Sequence, residues 1–152
     1  MSTTATTDLS VDVLNSLLRG EISAQEAHEK ALALADDMTP EDVAELRRIS
    51  AEHTRSAEIL RTEVFRLGGV PAGSGGAWGA FAKAFQSSAN LIGASAAISS
   101  LLEGEEHGLR EYQDVLASAT GLTRAVLEER LVPDQTEHVA ALNAIAARRR
   151  TG

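Results

Sequence analysis

Two glutamates recur within a repeated segment of this 152-residue chain. Ser16–Glu21 has the sequence SLLRGE and Ser100–Glu105 has SLLEGE, so five of the six positions are identical. The acidic residues that close these segments, Glu21 and Glu105, are separated by 84 residues (105 − 21). Internal repetition of this kind indicates that one structural unit was duplicated. Carboxylates on facing helices are the usual oxygen ligands of metal sites in helical bundles.

A second repeat supplies histidines at almost the same spacing. Glu52-His53 returns as Glu137-His138, and the two histidines are 85 residues apart (138 − 53). Two matching offsets indicate the doubling of a helical hairpin, with a Glu-bearing and a His-bearing helix in each half. Such a doubling brings two carboxylates and two imidazoles into register, which together can bind a metal ion between helices.

Seven polar residues occupy positions where the 3.6-residue periodicity of an amphipathic helix expects apolar side chains. A buried carboxylate is unfavourable unless it is paired with a cation or bound to a metal. We predict four metal ligands, which are Glu21, His53, Glu105 and His138. We expect the other three to orient these ligands by hydrogen bonds, and they are His28, Tyr112 and Gln135.

Two interpretations of these residues remain open. In the first they bind iron, zinc or manganese, for which imidazole and carboxylate are suitable ligands. In the second they form a structural polar layer in which glutamates and histidines satisfy one another across the helices. Glu52 and Glu137 lie one step off the apolar stripe and are expected at the surface, as is His107.

The elements that must position these residues are helices. The chain is rich in Ala, Leu and Glu and contains only three prolines, one Trp, one Tyr and three Phe, which predicts an all-α fold. Residues 10–150 should form one four-helix bundle after a flexible segment at residues 1–9. The predicted helices are Ser10–Asp37, Thr39–Leu67, Ser95–Ser118 and Thr123–Arg149.

Local signals set the boundaries of these helices. Thr39 is a favourable N-cap and is followed by Pro40, while the glycines from Gly68 onward stop the second helix. The short link between the first two helices predicts an antiparallel hairpin. Pro133 should kink or break the fourth helix, because proline removes a backbone donor and clashes with the preceding turn.

A long crossover is predicted between the second and third helices. It begins with a glycine-rich linker that ends at Gly79. From the end of this linker onward, Trp78, Phe81 and Phe85 are spaced at i, i+3 and i+7, on one face of a short amphipathic helix. A four-helix bundle already closes its core with four apolar stripes, so part of this extra face predicts a homodimer contact.

Composition excludes several classes of function. The chain has no cysteine, which excludes disulfides, thiol catalysis and iron–sulfur clusters. The formal net charge of −8 argues against nucleic-acid binding. The N-terminal residues lack the basic and apolar regions of a secretory signal, and no apolar run approaches the ~20 residues of a membrane span. We therefore expect a cytoplasmic protein without a membrane partner.

The chain resembles the ferritin-like superfamily. Leu17-Leu18-Arg19-Gly20-Glu21, with His28 seven residues later, is similar to the first bundle helix of bacterioferritins, where a Leu-Leu-x-x-Glu carries an iron ligand. The pattern from Leu14 to Arg150 resembles a small bacterial branch of ferritin-like four-helix proteins whose function is unassigned. The resemblance implies a four-helix bundle with one long crossover and a role in metal homeostasis or stress.

The resemblance also implies what the site lacks. Di-iron members carry Glu on helices one and three and Glu-x-x-His on helices two and four. Here Ser50 and Gln135 replace the two glutamates that bridge the irons. The resemblance is therefore compatible with a site for a single iron or zinc ion and argues against a ferroxidase. The alternative is a non-catalytic structural or interaction protein with a degenerate ferritin-like site.

Overall fold

A computed structural model describes residues 3–73 and 93–151, with side chains from residue 11 onward. The elements in these two ranges are all helical, which confirms the predicted all-α class. The α-helices are α1 (Thr3–Leu32), α2 (Pro40–Arg66), α3 (Ala94–Ser118), α4 (Gly121–Val126) and α5 (Val132–Thr151). A 3-10 turn at Ala35–Asp37 follows α1, and a π-helical turn at Leu127–Leu131 joins α4 to α5.

The predicted start and stop signals of α2 are confirmed. The hydroxyl of Thr39 accepts a hydrogen bond from the Asp42 N–H at 3.1 Å, which satisfies one of the free donors of the first turn. At the other end Gly68 has a φ of +81°, and the Gly69 N–H donates to the carbonyl of Val64 at 2.9 Å. This is a Schellman cap, in which glycine adopts the left-handed conformation without strain.

The bounds of α1 differ from the prediction at both ends. The helix begins at Thr3 instead of Ser10 and ends at Leu32 instead of Asp37. Its α-helical bonding stops early because the chain must reverse before the N-cap of α2, and the last residues tighten into the 3-10 turn. The flexibility predicted for residues 1–9 stays a prediction.

The fourth predicted helix continues past Pro133 without a gap, but its hydrogen-bonding pattern changes next to this residue, and the predicted kink stays a prediction. The α-helical hydrogen bonding changes to a π-helical turn at Leu127–Leu131, just before this proline. Proline cannot donate the backbone bond that a regular α-helix requires, and a π-helical turn shifts the pattern locally. Gly121, with a φ of +59°, opens this helical segment.

Contacts at the two ends of the molecule define the helix directions. Arg148 near the end of α5 contacts Asp42 at the start of α2, and Arg149 contacts Ser95 at the start of α3. At the opposite end, Thr123 of α4 contacts Glu63 near the end of α2. Helices α2 and α3 therefore run in the same direction, whereas α1 and α2 form the predicted antiparallel hairpin.

Two apolar clusters fill the interior. The first includes Leu46 of α2, Leu101 of α3 and Leu142 of α5, and the second includes Leu18 and Leu60. Buried polar residues lie between the clusters, where they interrupt the apolar stripes of α1, α2, α3 and α5. The fold thus brings polar side chains from four helices together in the region between the two clusters.

Some predictions fall outside this description. The glycine-rich linker beyond Gly73 and the aromatic residues Trp78, Phe81 and Phe85 lie outside the described residues, so the crossover helix and the homodimer stay predictions. Among the helices that are described, none is long and apolar enough to cross a membrane.

Candidate metal centre

The carboxylate of Glu105 is the centre of the buried polar layer. Its Oε1 lies 2.5 Å from His53 Nε2 and 2.9 Å from His28 Nε2. Its Oε2 accepts a hydrogen bond from Gln135 Nε2 at 2.5 Å and lies 3.9 Å from His138 Nδ1. Glu105 and His28 are fully buried, and the other residues are nearly so. One carboxylate therefore gathers three imidazoles from three helices.

A second carboxylate approaches the same layer from α1. His53 Nδ1 lies 2.6 Å from Glu21 Oε2, so this imidazole is held between Glu21 and Glu105. The hydroxyl of Tyr112 donates a hydrogen bond to Glu21 Oε1. The result is a continuous hydrogen-bonded chain from Tyr112 through Glu21 and His53 to Glu105. We call these residues, together with His28, Gln135 and His138, the inner group.

The charges of the inner group compensate one another. Burial lowers the pKa of His53, but Glu105 and Glu21 outweigh this effect and raise the pKa well above its usual value. Burial alone would raise the pKa of Glu105, yet His53 and His28 hold it well below the usual range. Burial lowers the pKa of His28, because Glu105 does not fully offset the desolvation. The inner group thus contains a protonated His53 between carboxylates and a neutral His28.

Two buried ring nitrogens have no hydrogen-bond partner among the described residues. They are Nδ1 of His28 and Nδ1 of His138, whose residues are 0% and 1% exposed. A buried polar atom without a partner costs free energy, and such an atom in a folded protein requires an explanation. An imidazole nitrogen without a proton is also a metal ligand.

The donor atoms are close enough for a metal site. One donor atom from each of His28, His53 and Glu105 lies within 4.8 Å of the others. The ring centroids of His53 and His138 are 4.8 Å apart, and those of His28 and His53 are 5.2 Å apart. Two imidazoles and a carboxylate in this space, with Nδ1 of His138 3.9 Å from Glu105, are a suitable donor set for iron or zinc.

A narrow cleft between the described residues borders the inner group. It borders Glu21, His53 and Gln135, and glycines of α1 and α3 form part of its wall. A Cβ atom added to Gly108 would lie 3.0 Å from Gln135 Nε2, so the absence of a side chain at Gly108 lets Gln135 approach α3. A metal site requires an entry path, and this cleft is a candidate for it.

A second polar cluster lies on the solvent side of His138. His138 Nε2 is 2.7 Å from Glu52 Oε1, and Arg48 donates to Glu52 Oε2 at 2.9 Å. Arg48 also donates to both carboxylate oxygens of Glu137, at 2.7 and 3.0 Å, and to both oxygens of Glu45, at 2.8 and 3.1 Å. We call Glu45, Arg48, Glu52 and Glu137 the outer group.

The four residues predicted as ligands lie together in one layer, as the repeat predicted. His28, Tyr112 and Gln135 contact the two glutamates, again as predicted. The role of all seven in metal binding stays a prediction. His28 lies closer to the carboxylate of Glu105 than His138 does, although it was not among the predicted ligands.

The surface position predicted for Glu52 is wrong. Glu52 is half-buried with a side chain 16% exposed, because its carboxylate reaches across to His138 of α5. The repetition of Glu52 as Glu137 was the sequence signal that could have predicted its place in the site.

Arg48 was not identified from the sequence, although its i, i+4 spacing to Glu52 favours an ion pair on one helix face. Ser50 makes no contact with the inner group among the hydrogen bonds of the described residues, and its carbonyl accepts a bond from Thr54.

Fold and site together define a class, an all-α protein with a buried His–Glu centre between two apolar clusters. Residues 9–118 match the family described as Domain of unknown function (DUF2383), and the protein belongs to this family because the match spans most of the chain. The matched region carries Glu21, His28, His53 and Glu105 and ends before His138. No curated protein and no solved structure matches the chain significantly.

Proposed function

We propose that this protein is a ferritin-like four-helix bundle that binds one iron or zinc ion in its inner group and acts in metal homeostasis or stress. The parallel directions of α2 and α3 support this architecture, because two parallel helices in one bundle need a long crossover between them. The glutamates of α1 and α3 and the histidines of α2 and α5 correspond in position to the ligand-bearing helices of that superfamily.

The observation that carries the proposal is the gathering of three imidazoles around Glu105 with two ring nitrogens unpartnered. Hydrogen bonding alone leaves His28 Nδ1 and His138 Nδ1 unsatisfied. A purely structural polar layer should leave no such atoms, because the polar atoms buried in folded proteins are nearly always hydrogen-bonded. A bound metal accounts for imidazole rings that are buried and close together.

Hydrogen bonds across the layer indicate which atoms would hold the metal. Histidine ligands usually donate their second ring N–H to a carboxylate, which fixes the ring and its tautomer. Glu21 takes this role at His53 Nδ1, and Glu52 takes it at His138 Nε2. His53 Nε2 and His138 Nδ1 then remain for the metal, beside Glu105.

We therefore propose a revised ligand set of His28, His53, Glu105 and His138. Glu21, which the sequence predicted as a ligand, becomes the carboxylate that orients His53, and Tyr112 holds Glu21 in turn. A bound metal would supply Lewis acidity at this site, or one-electron chemistry in the case of iron. Binding requires His53 to lose its proton, so metal affinity should fall at low pH.

One observation favours a second candidate function, a non-catalytic structural or interaction protein. His53 as an imidazolium already compensates Glu21 and Glu105, at 2.6 and 2.5 Å. A polar layer of this kind can specify a single arrangement of the helices without any metal. The two candidates differ in one property, which is whether the purified protein holds metal in a fixed ratio.

The test is elemental analysis of the purified protein, followed by titration of the chelator-treated protein with zinc. We expect one zinc per chain for the wild type and loss of binding in Glu105→Gln and His53→Gln. Glu103→Gln is the matched control, because Glu103 is exposed on the same helix two residues away. A wild type that binds no zinc below about 100 µM would leave the structural polar layer as the function.

A further inference from the structure

We infer that Arg48 limits this protein to a single metal ion, because its guanidinium occupies the place that a second divalent cation would take between Glu52, Glu137 and His138. This inference rests on the proposed function of the inner group. It assigns a specificity-determining role to Arg48, which reaches the proposed ligand His138 only through Glu52.

The outer group and His138 together form a donor set. One donor atom from each of Glu52, Glu137 and His138 lies within 4.8 Å of the others. His138 is only 1% exposed, and its Nδ1 lacks a hydrogen-bond partner. Its Nε2 faces Glu52 and its Nδ1 faces Glu105, so the ring lies between the outer and the inner group. Two carboxylates and an imidazole are chemically suited to a divalent cation.

Arg48 already fills this donor set. Its Nη1 donates to Glu52 and Glu137, and its Nη2 donates to Glu137 and Glu45. A guanidinium is planar, keeps its charge at all physiological pH values and donates in a fixed fork that matches carboxylates. Arg48 therefore acts as a permanent internal cation that a metal would have to displace.

The same residue also keeps His138 available for only one metal. Arg48 holds Glu52 so that Glu52 Oε1 lies 2.7 Å from His138 Nε2. A ring nitrogen that donates to a carboxylate carries a proton and cannot bind a metal at the same time. With Nε2 engaged in this way, His138 offers only Nδ1, on the side of Glu105.

Loss of the Arg48 charge should open the second position. Glu45, Glu52 and Glu137 would then face one another without their common cation, and like charges in proximity are unfavourable. A divalent cation bound by Glu52, Glu137 and His138 Nε2 would relieve that repulsion. The Nε2 proton would leave to solvent, and the His138 imidazolate would bind the inner metal through Nδ1 and the second cation through Nε2. The neighbouring Arg47 is exposed and serves as a matched control, because its removal changes the net charge equally.

The experiment measures the zinc stoichiometry of the full chain by calorimetric titration and elemental analysis. We expect one zinc per chain in the wild type and in Arg47→Gln, and two in Arg48→Gln. Arg48→Lys keeps a positive charge and should remain at one. Adding Glu137→Gln to Arg48→Gln should return the stoichiometry from two to one, since the second position loses a ligand.

The outcomes separate this inference from the proposed function. A wild type without zinc contradicts both, whereas one zinc in both wild type and Arg48→Gln contradicts only the role of Arg48. Two zinc ions in the wild type also contradict that role.

If Arg48→Gln does not fold, the zinc stoichiometry of Glu137→Gln alone is the test, because this partly exposed carboxylate should be dispensable while Arg48 is present. A wild-type stoichiometry reduced by Glu137→Gln would show that the outer group already binds metal.

Discussion

The inner and outer groups use the same residue types but compensate their charges differently. In the outer group the carboxylates of Glu52 and Glu137 are held by Arg48, a permanent cation at the protein surface. In the inner group the carboxylates of Glu21 and Glu105 are held by His53, whose charge depends on a proton. His138 lies between the two groups and contacts both.

This difference explains why only the inner group is suited to exchange a metal for its proton. An imidazolium loses its charge when the proton leaves, and the free nitrogen then binds a metal, whereas a guanidinium does neither. Burial also separates the groups, because interactions of the inner carboxylates are not screened by water as those of the outer ones are. A buried carboxylate between imidazoles is therefore a better candidate for a metal site than a larger number of exposed acids.

The largest expected effect is the loss of stability when Glu105 is removed from the metal-free protein. Glu105→Ala leaves the His53 imidazolium with only Glu21 and leaves the Gln135 amide with only the backbone carbonyl of residue 105 as its acceptor. Breaking a buried ion pair by removing one partner costs about 3–5 kcal/mol. Urea denaturation measures this free energy of unfolding. The exposed control Glu103→Ala should stay within about 0.5 kcal/mol of the wild type, and equal losses in both variants would contradict the central role of Glu105.

The stability of the metal-free protein should reach a maximum around neutral pH. The pKa of His53 is raised, so its contribution is complete below the unfolded value of about 6.5 and is lost as the pH rises through the folded pKa. The pKa of His28 is lowered, so its contribution is present above about 6.5 and is lost as the pH falls. The pKa of Glu105 is also lowered, and its contribution disappears below about 4.5 as the pH approaches the folded pKa.

Thermal unfolding across this pH range tests these signs. The decline in melting temperature on the alkaline side should be smaller in His53→Gln, because that variant has no proton to lose there. On the acid side the contribution of Glu105 should also become smaller, because His53 is the main group that lowers its pKa, whereas the contribution of His28 should remain. If the melting temperature of His53→Gln declines on the alkaline side as much as that of the wild type, then His53 is not protonated in the folded protein.

The smallest expected effect belongs to the outer group. A double-mutant cycle with Arg48→Gln and Glu137→Gln should give a coupling of at most about 1 kcal/mol in the metal-free protein, because exposed ion pairs are weakened by water and salt. Urea denaturation at low and high salt measures the coupling and its screening. A coupling as large as the effect of Glu105→Ala would remove the distinction between the two groups.

Much of the fold follows from local signals in the sequence. Thr39 with Pro40, and Gly68, set the boundaries of α2 through capping and backbone conformation, which depend on few neighbours. The end of α1 at Leu32 could not be predicted in this way, since it depends on where the chain must reverse to reach α2. The convergence of the polar residues followed from the repeat, because equal offsets place residues at equal heights in a duplicated hairpin.

The finer geometry of the site depends on contacts that a sequence pattern does not contain. The repeat predicted equivalent roles for Glu21 and Glu105. In the structure Glu105 lies at the centre of the group and faces His53 Nε2, whereas Glu21 faces His53 Nδ1. Which ring nitrogen faces which carboxylate depends on helix rotation and side-chain rotamers. The length of the Glu52 side chain likewise lets it reach His138 from a position beside the apolar stripe.

The most direct test of the central claim is an anaerobic titration of the metal-free protein with ferrous iron, followed by stopped-flow mixing with oxygen. We predict at most one iron per chain and no rapid turnover, because Ser50 and Gln135 supply no bridging carboxylates and Arg48 occupies the neighbouring position. Two irons per chain that are oxidised rapidly, with the absorbance of a bridged ferric product, would contradict the single-metal site and indicate a working di-iron centre.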